Sequence, residues 1–131
     1  MFVHKKQPYQ LYENHKNKYL GFVRPKKPFY DKPLYILVNR WTGSMGEGIA
    51  IGLNSMNRAT IVGTEMARLA GGMKTINFKN HNYGFQVSFE KIFEVNGNPR
   101  EHFIPGNYIE QTQTNKDEIL EYTIEKINNS R

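Results

Sequence analysis

Along the chain, apolar positions fall into short, well-separated patterns rather than one long one. Leu34–Asn39 (LYILVN) is a nearly continuous apolar run with β-branched members, bounded by Pro33 and Arg40. Such a run is the mark of a buried strand and suits a parallel sheet. After the turn RWTGS, residues 45–57 read as a helix, with Ile49, Leu53 and Met56 recurring on one face. Gly46, Gly48 and Gly52 each lower helix stability by about 1 kcal/mol relative to Ala, so their presence suggests close packing of this helix against a sheet. Residues 58–64 (RATIVGT) form a second buried strand ending at Gly63, and residues 65–72 (EMARLAGG) a short turn of helix stopped by Gly71–Gly72. The stretches MKTINFKN and YGFQVSFEKIFEV alternate apolar and polar around an NHNYG turn and predict an antiparallel hairpin. A Gly- and Pro-punctuated loop leads to a final helix capped by Thr114 or Asn115, with acids early, Lys126 late and an apolar face of Ile119, Leu120, Ile124 and Ile127.

The first third differs. Pro8, Pro25, Pro28 and Pro33 punctuate residues 1–33 and argue for extended chain, with a short helix around Gln10–Tyr19. The order strand, helix, strand, hairpin, helix predicts an α/β fold with mixed sheet content, its first two strands joined by a right-handed crossover.

At 131 residues the chain is one domain's worth. It has no Cys, which excludes disulfides, iron–sulfur clusters and thiol nucleophiles. No apolar run reaches the roughly 18 residues of a membrane span, and the basic N-terminus lacks the apolar region of a secretory signal. Residues 1–40 hold nine Lys or Arg against two acids, a net +7, whereas residues 41–131 carry −1. A basic arm interleaved with tyrosines is compatible with nucleic-acid binding that weakens with salt. No recognition helix or RNP pattern accompanies it, and a solvated surface segment is the plainer reading, so no nucleic-acid partner is expected.

The chemistry concentrates at Thr42-Gly43-Ser44-Met45-Gly46, where a strand gives way to a helix. A serine there places its hydroxyl at a helix N-terminus, whose unpaired N–H groups stabilise developing negative charge. The turn is close to the G-x-S-x-G nucleophile elbow, with Thr42 in place of the first glycine. A plain N-cap serine fits the same residues. Glu47, in the first turn of that helix, suits dipole stabilisation and capping as well as a place in the site. His81 and His102 show no metal-ligand spacing, so no metal and no cofactor are expected.

Taken together, Val38-Asn39, Thr42, Ser44, Glu47, Arg58-Ala59, Val62 and Gly63 resemble the nucleophile region of the tail-specific, or C-terminal processing, serine peptidases. That family includes the tricorn core protease and the interphotoreceptor retinoid-binding protein repeats. The resemblance starts near Tyr30 and weakens toward the C-terminus. It implies a Clp protease/crotonase-like fold, of which this chain is a partial domain: a basic N-terminal segment over 1–33 and the C-terminal half of a catalytic domain over 34–131.

The resemblance further implies Ser44 as nucleophile and the Met45 N–H as one oxyanion donor, with Thr42, Gly43, Gly46 and Glu47 supporting the turn. The Ser–Lys branch of the family carries its lysine base at the position of Leu69, and Arg68 beside it does not deprotonate. The tricorn-like branch uses a histidine base and a late glutamate, and Glu101-His102-Phe103-Ile104-Pro105 resembles that late stretch in shortened form, making Glu101 the orienting acid. In that branch the histidine lies in an upstream part of the domain that has no counterpart in these residues. Peptides or unfolded tails are then the expected substrates, an extracytoplasmic location is usual, and open strand edges predict self-association.

Overall fold

In the computed structural model, residues 2–28 and 30–129 are described. They build two sheets and two helices. The first sheet is antiparallel. Its strands β1 (Gln7–Asn14) and β2 (Lys18–Val23) form a hairpin closed by Asn14, whose side-chain oxygen accepts the N–H groups of Lys16 and Asn17. β1 continues onto β6 (Gly84–Phe93), with Leu11 opposite Phe93 and Asn14 opposite Glu90, and β6 pairs with β5 (Gly71–Asn77). The order is β2-β1-β6-β5.

The second sheet is parallel, in the order β3-β4-β7: β3 (Tyr35–Val38), β4 (Thr60–Gly63) and the short β7 (Asn107–Tyr108). Helix α1 (Met45–Ser55) connects β3 to β4 and packs against β1, which holds the two sheets around it. Just past its end, Asn57 takes φ 52°, the left-handed conformation that stops helices. Val38, Ala50, Ile51, Ile61, Met66 and Phe103 form the core beneath α1. A 3-10 turn at Arg100–His102 and helix α2 (Glu118–Asn128) complete the fold. No described helix is long and apolar enough to cross a membrane.

The α/β class, both parallel strands, α1 and the β5–β6 hairpin agree with the sequence pattern. The parallel and antiparallel strands are divided between two sheets. Several local expectations are corrected. The helix expected around Gln10–Tyr19 is the β1–β2 hairpin, favoured by its tyrosines, Phe22 and Val23 and by the Asn14 turn. Where a helical turn is expected over residues 65–72, the chain is irregular up to residue 70 and then enters β5 at Gly71. Arg68 sits at φ 61°, and its neighbours bond outward, Ala67 N–H to the Thr42 carbonyl and Leu69 N–H to the Glu47 carboxylate. The cap of α2 is Asp117, whose carboxylate accepts Leu120 N–H at 2.9 Å, in place of Thr114 or Asn115. Of the face expected on α2, Ile119 is buried but Leu120 and Ile124 are exposed. Thr123 is buried instead, its hydroxyl satisfied by the Ile119 carbonyl.

The stripe of Ile49, Leu53 and Met56 on α1 also has a different role. The core takes Ala50 and Ile51, while Ile49, Leu53 and Met56 form one wall of an open cleft. The α1 glycines make the close approach to the sheet that their number suggests. A Cβ on Gly52 would stand 3.2 Å from the Tyr9 ring.

Candidate active site

β3 ends at Val38, and the four residues after it are tied into a tight turn. Thr42 N–H donates to the Asn39 carbonyl at 2.8 Å, Asn39 N–H donates to the Thr42 hydroxyl at 3.1 Å, and Trp41 N–H donates to the Asn39 side chain. Thr42 therefore contributes both its backbone and its hydroxyl to closing the turn. Its methyl explains Gly46, where a Cβ would stand 3.1 Å away from it.

Ser44 follows at φ 53°, ψ −112°, a conformation that L-residues avoid and that costs roughly 1–3 kcal/mol. It is exposed and occupies the N-cap position of α1. Glu47 holds it there: Ser44 N–H donates to Glu47 Oε2 at 2.9 Å, the reach-back half of a capping box. Glu47 does more than cap. It is 1% exposed, its Oε1 accepts Leu69 N–H at 3.1 Å, and it is paired with Arg100 (4% exposed) at 3.6 Å. Arg100 in turn donates twice to the Leu69 carbonyl, at 2.8 and 2.6 Å. A buried ion pair thus clamps the serine's own amide to the backbone of residue 69. The site uses Leu69 through its main chain. Its side chain lies beside the turn, with Cδ1 3.5 Å from where a Gly43 Cβ would stand.

Ser44 opens onto a cleft of about 580 Å³ between α1 and the antiparallel sheet. Tyr9, Tyr12 and Phe22 come from the β1–β2 hairpin, Ile49, Leu53 and Met56 from α1, and Ile92 from β6. The lining is overwhelmingly apolar, and Gln10 and Arg100 are its buried polar members. Tyr9 and Tyr12 of the basic N-terminal region are therefore walls of this cleft.

The other residues singled out by sequence are placed as follows. Met45 is the first residue of α1, with its side chain 76% exposed; its amide is one of the first-turn donors without an intrahelical acceptor. Glu101 lies in the 3-10 turn, half-buried, and its carbonyl accepts the Arg68 guanidinium at 2.8 Å. No described hydrogen bond joins Glu101 to Ser44, and neither Glu101 nor any of the four histidines lines the cleft. His81 stacks on Tyr83 at the tip of the β5–β6 hairpin. The residues that pattern reading missed are Arg100 and Gln10. Neither stands in a motif, and only the tertiary fold brings them beside α1.

A serine held at positive φ where a parallel strand turns into a helix, above an apolar cleft, has the local form of a nucleophile elbow. The chain belongs to Peptidase family S41, whose family model matches residues 1–109. The match thus begins well before Tyr30 and includes the β1–β2 hairpin. Among solved structures, the chain is similar to a Parabacteroides merdae protein described as a peptidase (TM-score 0.78, 15% identity, 96% of this chain and 44% of that one). It is also similar to the photosystem II D1 C-terminal processing protease (TM-score 0.67, 16% identity, 90% of this chain and 32% of that one). A third likeness is to mature CPAF (TM-score 0.58, 23% identity, 66% and 18%). At these identities the likenesses concern the fold, and the chain spans less than half the length of each of these three structures. No curated protein matches it in sequence.

Proposed function

We propose that this chain carries the nucleophile of a serine-type peptidase with a crotonase-like, tail-specific protease-like catalytic domain. The observation that supports this most is the strained, exposed Ser44 at the head of α1, fixed by a buried carboxylate and facing an apolar cleft. In this reading the Ser44 hydroxyl attacks a peptide carbonyl and its proton passes to a base supplied by another part of the catalytic domain. The carbonyl oxygen becomes an oxyanion held by the Met45 N–H. The base then returns the proton to the leaving amine. A histidine base would be oriented by Glu101. Extended peptide segments of unfolded proteins are the proposed substrates, since free strand edges flank the cleft.

The test is covalent labelling with a fluorophosphonate, read by mass spectrometry. Ser44 is expected to be labelled when the complementing half of the domain is present and to stay unlabelled in Ser44→Ala. Absence of label on Ser44 in the complemented protein would reject the proposal. A second reading, an inactive relic that binds ligands or proteins, is favoured by one observation: Leu69, not an ionisable group, sits beside the turn. In that case Ser44→Ala alters no measurable property of the protein.

The same reading predicts self-association. On the β5–β6 ribbon, Ile76 pairs with Phe85 and Lys74 with Val87, and Ile76, Phe85 and Val87 are all exposed along with Phe78 and Phe89. An apolar row of this extent on an edge ribbon asks for a cover, which is either the rest of the domain or a second copy. Sedimentation velocity is expected to show concentration-dependent dimers or larger species, reduced by Phe85→Lys. A monomer throughout the micromolar-to-millimolar range would contradict this.

A further inference from the structure

A second cleft, of about 900 Å³, begins at the same turn as the apolar one. It lies outside the carboxyl ends of the three parallel strands: Asn39, Arg40 and Trp41 follow β3, Thr64 follows β4 and Tyr108 ends β7. Open α/β sheets bind their ligands at that end. One wall is the loop 110–117, held in shape by Glu118, whose carboxylate accepts the Thr112 hydroxyl at 2.9 Å and the Gln113 N–H at 3.0 Å. The lining differs from that of the apolar cleft. Asparagine, threonine and glutamine make up half of it, and its charges cancel, Arg40 and Lys116 against Glu110 and Asp117.

Trp41 stands out in that polar lining. It is 79% exposed, more than any other large apolar side chain among the described residues, and Met45 comes next. The two bracket Ser44, Trp41 in the polar cleft and Met45 in the apolar one. The turn has no use for the indole. It is closed by backbone groups and by the side chains of Asn39 and Thr42, and Trp41 enters it only through its N–H. The Arg40 guanidinium lies 4.9 Å from the ring, and most of the ring is left to solvent. An exposed indole against a polar wall has the make-up of a contact anchor, a role in which tryptophan is enriched because it offers a large rigid face at little entropic cost.

We propose that Trp41 is the specificity-determining residue of a second subsite, which takes the part of an extended peptide lying across Ser44 from the apolar cleft. That part is polar and uncharged and carries one aromatic side chain, which stacks on the indole. The asparagine, threonine and glutamine side chains of the wall take up its backbone N–H and C=O groups. The substrate class is then a peptide that is apolar on one side of Ser44 and polar, with one aromatic ring, on the other. The proposal rests on the peptidase reading in placing Ser44 between the two segments; recognition by Trp41 stands without it.

The probes are end-blocked peptides that join a Val-Leu-Val block to a Gln-Tyr-Gln block in either order, each with a partner in which Ala replaces Tyr. Trp41 is the one tryptophan of the chain, so its emission reports the subsite directly. Binding to the full chain is expected to shift that emission to the blue. In the better of the two orders, the Tyr peptide is expected to bind about fivefold more tightly than its Ala partner. Trp41→Ala, followed by the anisotropy of fluorescein-labelled peptides, is expected to abolish the Tyr advantage; Trp41→Phe restores most of it, and Ser44→Ala preserves it. Equal affinities in the natural chain, an emission that does not move at saturation, or an advantage surviving Trp41→Ala would each overturn the subsite. So would an oligothymidylate that shifts the same emission more tightly than the peptides and in a salt-sensitive way, since the ring would then serve a nucleic acid. An emission shifted by the complementing half of the domain and thereafter insensitive to peptide would overturn it too, as the mark of an internal contact. A Tyr advantage in a protein whose Ser44 resists fluorophosphonate would sink the peptidase reading alone. Labelling without that advantage would sink only the subsite.

Discussion

Glu47→Ala is expected to destabilise the protein by about 3–5 kcal/mol and to abolish any reactivity of Ser44. The carboxylate is buried and satisfies three groups: the Ser44 N–H, the Leu69 N–H and the Arg100 guanidinium. Its removal leaves a guanidinium, 3% exposed, with only the Leu69 carbonyl as partner among the described residues. It also frees the serine amide that anchors φ 53°. A loss of this size is a large fraction of the roughly 5–15 kcal/mol that holds a typical domain together. Urea unfolding measures the first effect and fluorophosphonate labelling the second. The double variant Glu47→Leu/Arg100→Met should cost less than the sum of its parts, because no charge is then stranded in the interior. Additive losses, or a single-variant loss below about 1 kcal/mol, would show that the pair does not hold the turn.

What could be read from sequence follows from what periodicity reports. A continuous apolar run and a period-two alternation signal burial on both faces or on one, and that was enough for β3, β4 and the β5–β6 hairpin. It was also enough for the strand–turn–helix around Ser44, where small residues, a serine and an early acid stand in a fixed order. The β1–β2 hairpin was hidden because its apolar residues do not alternate cleanly with polar ones and are interspersed with tyrosines, lysines and asparagines, while Tyr9, Tyr12 and Phe22 gain their cover by facing α1 across the cleft. The irregular path of residues 65–70 was hidden for a related reason. Its backbone bonds go to Thr42, Glu47 and Arg100, partners that helical propensity does not register. Thr123 on α2 illustrates the same limit, since its hydroxyl, bonded to the Ile119 carbonyl, is buried while Leu120 and Ile124 of the expected apolar face are exposed. Within the site, Ser44 and Glu47 were legible as neighbours on one turn. Arg100 and Gln10 were not, because a charged residue and an amide read as surface until the fold encloses them.

Gly63→Ala is expected to cost about 4 kcal/mol or more. Gly63 ends β4 at φ 136°, a conformation essentially restricted to glycine, and a Cβ there would lie 1.8 Å from the Val38 carbonyl oxygen. Neither atom can yield alone. Val38 is the register partner of Gly63, its carbonyl accepts Thr64 N–H at 3.2 Å, and the Gly63 carbonyl accepts Ile109 N–H at 3.0 Å. Making room therefore parts β3 from β4 at the end that leads directly into the Asn39–Thr42 turn, so the damage reaches Ser44. Two other glycines separate the causes. Gly97→Ala, at φ 95° with nothing within 4 Å, should cost only the conformational penalty, about 1–2 kcal/mol. Gly106→Ala, with neither strain nor neighbours, should be neutral or stabilising by up to about 1 kcal/mol. Chemical denaturation of the three variants checks the order, and a Gly63→Ala protein as stable as Gly97→Ala would show that β3 and β4 separate without cost. If the order holds, the spacing of two parallel strands, set by one missing methyl, decides where the serine stands.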